Sequence, residues 1–236
     1  MAVYVTGDTH GDFSRLGIFA KTMGIRAEER KERDICIVLG DACLNYFCDA
    51  RDEANKEEVS RLPFDLFCIH GNHEARPETV EGYEQTEWHG GTVYRQKEFP
   101  HLFFARDGEN YDLAGNKTLV IGGAYSVDKD YRLAYGYRWF PDEQPSEEIK
   151  QRVERKLDET GWKTDIVLSH TCPLKYQPAE MFLSGLDQSR VDRTTEMWLD
   201  GIEDRLSYGK WYCGHYHVDK QKDRIEFLFQ SIRLLG

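Results

Sequence analysis

The sequence lacks the features that mark secreted or membrane proteins. No CxxC pair occurs among its 6 cysteines, most of which lie in apolar runs, so we expect reduced, packed thiols instead of a disulfide framework. No long apolar stretch precedes Gly7, so we expect neither a signal peptide nor a membrane span. These two absences predict a cytoplasmic protein.

The sequence also lacks an excess of basic residues. Its 31 Lys and Arg are outnumbered by 42 Asp and Glu, which gives a formal net charge of -11. Because binding along a phosphate backbone needs clustered basic side chains, a protein that holds nucleic acid mainly by its charge is not favoured. A phosphate ester stays possible as a substrate, because bound metal ions reverse the potential within a site.

What the N-terminal third contains is a regular alternation of strand and helix patterns. Apolar runs at 2–7, 34–39 and 64–68 predict strands, and patterns of helical spacing or high charge at 13–23 and 49–62 predict helices. This order is typical of βαβ units, in which neighbouring strands are parallel. The fold class predicted from the pattern is therefore α/β.

The rest of the chain mixes further strands with two helices. Short segments at 92–95 and 102–105 predict strands of a second sheet or a hairpin. Further strands are predicted at 118–124, 164–169, 210–213 and 224–229. Helices are predicted at 146–160, with Ser146 or a neighbour as the cap, and at 189–207. Because no low-complexity linker interrupts these elements, we expect a single domain over residues 1–236.

One segment, 125–145, is irregular and rich in aromatic and basic residues. It contains four tyrosines, a tryptophan and two prolines together with Lys129, Arg132 and Arg138. We expect either a lid that stacks an aromatic group of a ligand or a hydrophobic flap packed on the sheets.

Residues that can bind metals follow five of the predicted strands, at the edge where α/β sheets place their ligands. These clusters are Asp8-Thr9-His10, Gly40-Asp41, Gly71-Asn72-His73-Glu74, His170 and Gly214-His215-Tyr216-His217. A single histidine at a strand end is more often a hydrogen-bonding residue than a ligand. Taken together, nitrogen and oxygen donors without a competing thiolate suit Mn, Fe, Co, Ni, Zn or Mg.

The five clusters, in this order, resemble the signature blocks of the calcineurin-like metallophosphoesterase family. The blocks read Asp-x-His, Gly-Asp, Gly-Asn-His-Glu, His and Gly-His-x-His, and they span nearly the whole chain from Asp8 to His217. The resemblance implies a two-sheet β-sandwich flanked by helices, a four-layer α/β/β/α arrangement with two metals at its edge. It also implies a metal-dependent phosphoesterase.

The resemblance also implies a role for individual residues of the blocks. The first metal would be held by Asp8, His10 and His217, the second by Asn72, His170 and His215, and Asp41 would bridge both. A hydroxide bridging two metals about 3.5–4 Å apart would attack phosphorus in line. His73 would face the substrate as an imidazolium that stabilises phosphoryl oxygens or protonates the leaving group. Manganese is the first metal expected.

The second block departs from two better-known branches of that family. It reads Gly40-Asp41-Ala42-Cys43-Leu44-Asn45-Tyr46 and lacks the arginine that protein serine/threonine phosphatases carry there, so a phosphoprotein substrate is not expected. Leu44 stands where purple acid phosphatases place a metal-binding tyrosine. A tyrosinate site is therefore not expected either, although Tyr46 lies close in sequence.

Three further residues near the blocks have both a functional and a structural interpretation. Arg76 would clamp a substrate phosphate or be ion-paired, and the two alternatives weigh about evenly. Asn45 would donate to a phosphoryl oxygen or cap a local turn. Glu74 would accept a hydrogen bond that orients a histidine.

The function predicted from the sequence is hydrolysis of a phosphodiester or phosphomonoester, with a small molecule or nucleotide as substrate. A non-catalytic metal-binding scaffold or regulatory protein is one alternative. A nuclease is another, with Lys and Arg between 129 and 156 as a local basic patch. No membrane partner is expected, and no protein partner is indicated.

Overall fold

The computed structural model describes residues 1–26, 32–182 and 187–236. The helices are α1 (Ser14–Met23), α2 (Ala50–Val59), α3 (Lys129–Tyr135), α4 (Glu147–Glu159) and α5 (Thr194–Glu203). The strands are β1 (Val3–Thr6), β2 (Asp34–Val38), β3 (Phe64–Cys68), β4 (Glu84–Trp88), β5 (Gly91–Arg95), β6 (Leu102–Ala105), β7 (Asn110–Leu113), β8 (Asn116–Ile121), β9 (Ile166–Ser169), β10 (Lys210–Cys213), β11 (Lys220–Lys222), β12 (Ile225–Phe227) and β13 (Ile232–Leu234).

The strands form two mixed sheets, each with a parallel centre. The order of the 7-stranded sheet is β13-β1-β2-β3-β6-β5-β4, in which β1, β2, β3 and β6 run parallel. The order of the 6-stranded sheet is β11-β12-β10-β9-β8-β7, in which β12, β10, β9 and β8 run parallel. The βαβ pattern predicted for the N-terminal third is confirmed.

The two sheets pack face to face, with helices on the outside of each. Along β2, Ile37 points inward and joins Leu168 of the other sheet in the central core, while Val38 points outward and packs with Leu16 of α1. On the far side, α4 places Val153 against the outer face of the second sheet. The expected four-layer α/β/β/α sandwich is therefore confirmed.

Two of the predicted elements need correction. The strands at 92–95 and 102–105 do not belong to a second sheet, because β6 pairs with β3 and β5 with β6 in the first sheet. The hairpin alternative is right, since β5 and β6 pair antiparallel. The helix predicted over 189–207 is shorter: α5 follows a short 3-10 turn at Gln188–Arg190.

The aromatic segment at 125–145 contains a helix that the sequence did not predict. No residue of α3 is buried, and Tyr131 and Tyr135 are exposed. Phe140, in contrast, is only 5% exposed. A flap packed on the sheets therefore describes Phe140 but not α3.

All six cysteines are free thiols, and Cys172 and Cys213 pack in the apolar layer under α4 and α5. Among the described residues, no helix has the length and apolar character needed to cross a membrane.

The predicted cap of α4 is present and can be tested. Ser146 Oγ accepts a hydrogen bond from the backbone amide of Ile149 at 3.4 Å. Ser146→Ala should lower the free energy of unfolding by about 1 kcal/mol, because a helix-end amide loses its partner. Urea unfolding of the metal-free protein measures this. Ser146→Asp retains a capping oxygen and should stay close to the native stability. An equal decrease in the free energy of unfolding in both variants would contradict the role of the cap.

Candidate metal centre

Five loops from the two sheets meet at one edge of the sandwich. Three of them follow the parallel strands β1, β2 and β3, and two follow β9 and β10. Because the carboxyl ends of parallel strands lie on the same side of a sheet, each sheet contributes its loops to this edge. The structure brings together here all seven side chains predicted as ligands: Asp8, His10, Asp41, Asn72, His170, His215 and His217.

Three of these side chains form a first group. The Nε2 atom of His217 lies 3.2 Å from Oδ2 of Asp8 and 2.9 Å from Nε2 of His10. Asp8 Oδ2 is buried and has no hydrogen-bond partner within the described ranges. A buried carboxylate oxygen beside two ring nitrogens is a donor set that fits a divalent cation.

Three others form a second group. Oδ1 of Asn72 lies 2.8 Å from Nε2 of His170 and 3.1 Å from Nδ1 of His215. Nδ1 of His170 lies 2.7 Å from the carbonyl oxygen of Leu39, which can only accept, so Nδ1 carries a proton and Nε2 is the nitrogen that the tautomer with a single proton offers as an acceptor. Two acceptors thus face each other, an arrangement that a cation between them would stabilise.

Asp41 lies between the two groups. Its Oδ2 is 4.0 Å from Nδ1 of His10, and its Oδ1 is 3.7 Å from Nε2 of His170. The backbone amide of His73 donates to Oδ1 at 2.8 Å and fixes the carboxylate. One carboxylate therefore faces both groups, as a shared ligand must.

The charges of the cluster keep the ligands ready to bind a cation. Burial opposes the ionisation of Asp8, but the adjacent His217 and the nearby His170 outweigh burial and hold its pKa below the ordinary value. Asp41 also has a lowered pKa, because His170 and His73 outweigh its burial. Burial lowers the pKa of His215 to about 3, so its ring is neutral and free to ligate at neutral pH.

Two glycines of the motifs are required by close contact. A Cβ on Gly40 would lie 2.1 Å from Nδ1 of His170, and the φ of Gly40 is +95°. A Cβ on Gly71 would lie 2.1 Å from Oδ1 of Asp41. Any side chain at either position would displace a ligand that belongs to another loop.

Four of the ligands adopt a left-handed backbone that ordinary residues rarely use. The φ angles are +48° at His10, +50° at Asp41, +66° at His215 and +51° at His217. Such residues cost on the order of 1–3 kcal/mol each and persist where the surrounding structure holds them. The left-handed backbone at these four residues directs their side chains into the cluster, and the surrounding structure holds it in place.

His73 lies beside the cluster, and its ring has two close donors. Nε2 is 3.2 Å from Nδ2 of Asn72 and 3.3 Å from Nη2 of Arg132. Because an arginine can only donate, Nε2 acts as an acceptor. Burial and Arg132 lower the pKa of His73, although Asp41 opposes them. This geometry favours a neutral ring over the imidazolium expected from the sequence.

Arg76 and Asn45 lie outside the cluster. Arg76 is buried, and its Nη1 pairs with Asp107 at 2.6 Å, so the ion-paired alternative describes it and the phosphate clamp does not. Asn45 is also buried, and its Oδ1 accepts from the hydroxyl of Tyr83 at 2.9 Å. Both side chains are engaged inside the protein instead of facing a substrate.

Glu74 has a role different from the one expected. Its Oε1 accepts from the backbone amides of Gly71 and Ala42, at 3.2 and 3.3 Å, and does not orient a histidine. Burial and the neighbouring Asp41 raise the pKa of Glu74 to about 8. This side chain joins the loops that follow β2 and β3.

Two residues of the irregular segment contribute to the site without having been predicted individually. Ser126 Oγ accepts from Nδ2 of Asn72 at 2.9 Å, which turns Oδ1 of Asn72 toward the histidines. Arg132 is oriented by Asp128, which accepts from its Nε at 2.8 Å. The aromatic and basic composition of 125–145 indicated a segment near a ligand, but not which residues.

Comparisons with known proteins agree with this geometry. A crystal structure of the protein TT1561 of Thermus thermophilus has a similar fold, with a TM-score of 0.51 over 99% of this chain and 97% of that chain, at 14% sequence identity. No curated protein matches significantly. The family profile of calcineurin-like phosphoesterases matches residues 1–219, which contain all seven predicted ligands. The chain belongs to the calcineurin-like phosphoesterase family.

Proposed function

We propose that this protein is a metal-dependent phosphoesterase that hydrolyses a phosphodiester or phosphomonoester of a small molecule or nucleotide at a dinuclear site. The observation that carries the proposal is the position of Asp41, whose two oxygens face His10 on one side and His170 on the other. A carboxylate that faces two ligand groups could be shared by two cations, one in each group.

The residues fit two divalent cations, of which manganese is the first candidate. The first would be held by Asp8, His10 and His217, the second by Asn72, His170 and His215, with Asp41 between them. When bound, such cations supply Lewis acidity toward phosphoryl oxygens and acidify water for attack on phosphorus. The side chains around these positions would orient the substrate and place charge next to its phosphoryl group.

His73 and Arg132 are the side chains that we assign to the substrate. Both line a cavity beside the cluster, which His10 also lines. The guanidinium of Arg132 can bind phosphoryl oxygens through two parallel N–H groups. His73 lies next to both Asp41 and Arg132, where its ring can stabilise a phosphoryl oxygen or pass a proton to the departing oxygen.

The two alternatives have less support. Several basic residues between 129 and 156 are engaged within the protein: Lys129 lies over the ring of Trp139, and Arg152 donates to the carbonyl of Asp107. A free basic groove for a nuclease substrate is therefore not favoured. A non-catalytic scaffold would be expected to have lost a ligand or His73, and none is missing.

Asp41→Asn tests the shared carboxylate. The weaker amide ligand should reduce occupancy at both positions and lower hydrolysis of bis-p-nitrophenyl phosphate by more than about 100-fold, the upper end of the loss seen when a group that only orients a ligand is removed. Metal analysis and initial rates with added manganese measure this. Asp65→Asn, near the start of β3, is the matched control. Native turnover by Asp41→Asn would refute the assignment, and native protein with two bound metals but no hydrolysis would favour the scaffold.

His73→Ala tests a role in turnover. Its backbone amide, which holds Asp41, is retained, so metal occupancy should stay close to native. The kcat should fall about 10²- to 10⁴-fold, the range for loss of a group that transfers a proton. Loss of the metals with a proportionate loss of rate would show that the ring is a structural or ligating group instead.

Arg132→Gln tests phosphate binding. The KM for p-nitrophenyl phosphate should rise about 10- to 100-fold, as for loss of a hydrogen bond to a charged group. Arg132→Lys should recover part of the affinity through its charge alone. Arg138→Gln in the same segment serves as the control, because Arg138 donates to the carbonyl of Phe47. An unchanged KM in Arg132→Gln would contradict the assignment.

A further inference from the structure

A cavity of about 440 Å³ opens directly from the metal centre. Asn72, His73 and His215 of the centre form one side of it. Its volume lies within the range of small-molecule sites, about 300–1,000 Å³. A substituent on a phosphorus atom held at the centre would therefore extend into this cavity.

Aromatic and apolar side chains form much of the remaining wall. The rings of Phe182 and Tyr216 are nearly parallel, with an interplanar angle of 15° and centroids 6.2 Å apart. Tyr125 and Val127 also line the cavity, and Val127 is 50% exposed although it is apolar. Exposed apolar side chains beside a cluster of charged groups are typical of a site that binds a planar apolar group.

A chain of hydrogen bonds runs through this wall in one direction. Nε2 of Gln177 donates to the hydroxyl of Tyr216 at 3.1 Å, and the hydroxyl of Thr171 donates to Oε1 of Glu196 at 2.8 Å. Since the only proton of the Thr171 hydroxyl is used, the Tyr216 hydroxyl donates to Thr171 across their 2.9 Å contact. The chain therefore ends on the carboxyl group of Glu196, which acts as an acceptor.

Glu196 has one oxygen that the protein does not satisfy. The residue lines the cavity but is only 3% exposed, and Oε2 has no hydrogen-bond partner in the part of the chain that the structure describes. A buried polar atom without a partner costs about 1–3 kcal/mol. Such a cost is offset when a ligand or an ordered water supplies the missing donor.

We propose that Glu196 determines specificity in this cavity by accepting a hydrogen bond from a planar heteroaromatic substituent of the substrate that carries N–H donors on its edge, as a purine does. The aromatic wall stacks the ring, and Oε2 accepts from its edge. This inference rests on the proposed phosphoesterase function, because it describes the group attached to the phosphate.

The test compares ligands that share a phosphate and differ in the ring. Guanosine 5′-monophosphate and adenosine 5′-monophosphate carry N–H donors, whereas phenyl phosphate has none. Calorimetric titration of the matching methylenephosphonates, which cannot be hydrolysed, into the manganese-loaded full chain gives each Kd without turnover, and competition of the phosphates against bis-p-nitrophenyl phosphate gives each inhibition constant. At least one purine nucleotide should bind about tenfold more tightly than phenyl phosphate, as expected for one added hydrogen bond.

Variants of Glu196 identify the residue responsible. Glu196→Gln keeps the acceptor for Thr171 but places an amide N–H₂ at Oε2, and it should remove the preference for the purine nucleotide while leaving the Kd of phenyl phosphate within twofold. Glu196→Asp keeps the charge but withdraws it from the cavity, and it should have the same effect. Glu154→Gln is the control, since Glu154 contacts α5 through Trp198 and carries the same charge.

Each outcome separates the inference from the proposed function. If the native protein binds neither purine nucleotide more tightly than phenyl phosphate, the inference is overturned. It is also overturned if Glu196→Gln weakens the binding of all three ligands equally, because Glu196 would then be structural, with Oε2 bonded to water. Absence of hydrolysis by the native protein would overturn the proposed function, while the Kd values would still decide the role of Glu196.

Discussion

The contact between the loop after β3 and the carboxylate of Asp41 is the interaction on which the centre depends. The amide of His73 donates to Asp41 Oδ1, and Gly71 approaches so closely that a Cβ would overlap the same oxygen. Glu74 then joins both loops by accepting the amides of Gly71 and Ala42. With these loops fixed to each other, the carboxylate can face ligands from both sheets at once.

The sandwich supplies the rigidity that this arrangement needs. Asp8 and Asp41 are buried with ionised side chains, and four ligands hold a backbone with positive φ, so the loops are unfavourable by themselves. The strands that precede them are buried on both faces, between the central core and the helices. Packing of the strands thus offsets the cost of bringing acceptors and acids together, and cations would lower that cost further.

The parts of the fold that follow local rules could be predicted from the sequence. Buried parallel strands read as continuous apolar runs, and polar residues at their ends meet at one edge, so the α/β class and the place of the site could be predicted from the pattern. The assignment of the seven candidate ligands came from the resemblance to the family. β4 was missed because Glu84–Trp88 is mostly polar, and α3 because none of its residues is buried. Local sequence carries little signal for an exposed element.

Roles that depend on distant partners could not be predicted. Arg76 is engaged by Asp107, 31 residues further along the chain, and this pairing turns a plausible phosphate ligand into a buried structural residue. The same holds for Ser126, which orients Asn72 from 54 residues away. Glu74 was expected to accept from a histidine, but backbone amides are its donors. His73 was expected to be an imidazolium, but the contact with Arg132 favours a neutral ring.

The exposure of α3 has a consequence for how the specificity of this protein can change. A helix without buried residues contributes little to the stability of the sandwich, so its sequence can drift with almost no penalty in folding. Yet this helix carries Arg132 to the rim of the cavity beside His10 and His73. Substitutions in α3 can therefore change which groups enter this cavity without disturbing the loops that carry the candidate metal ligands.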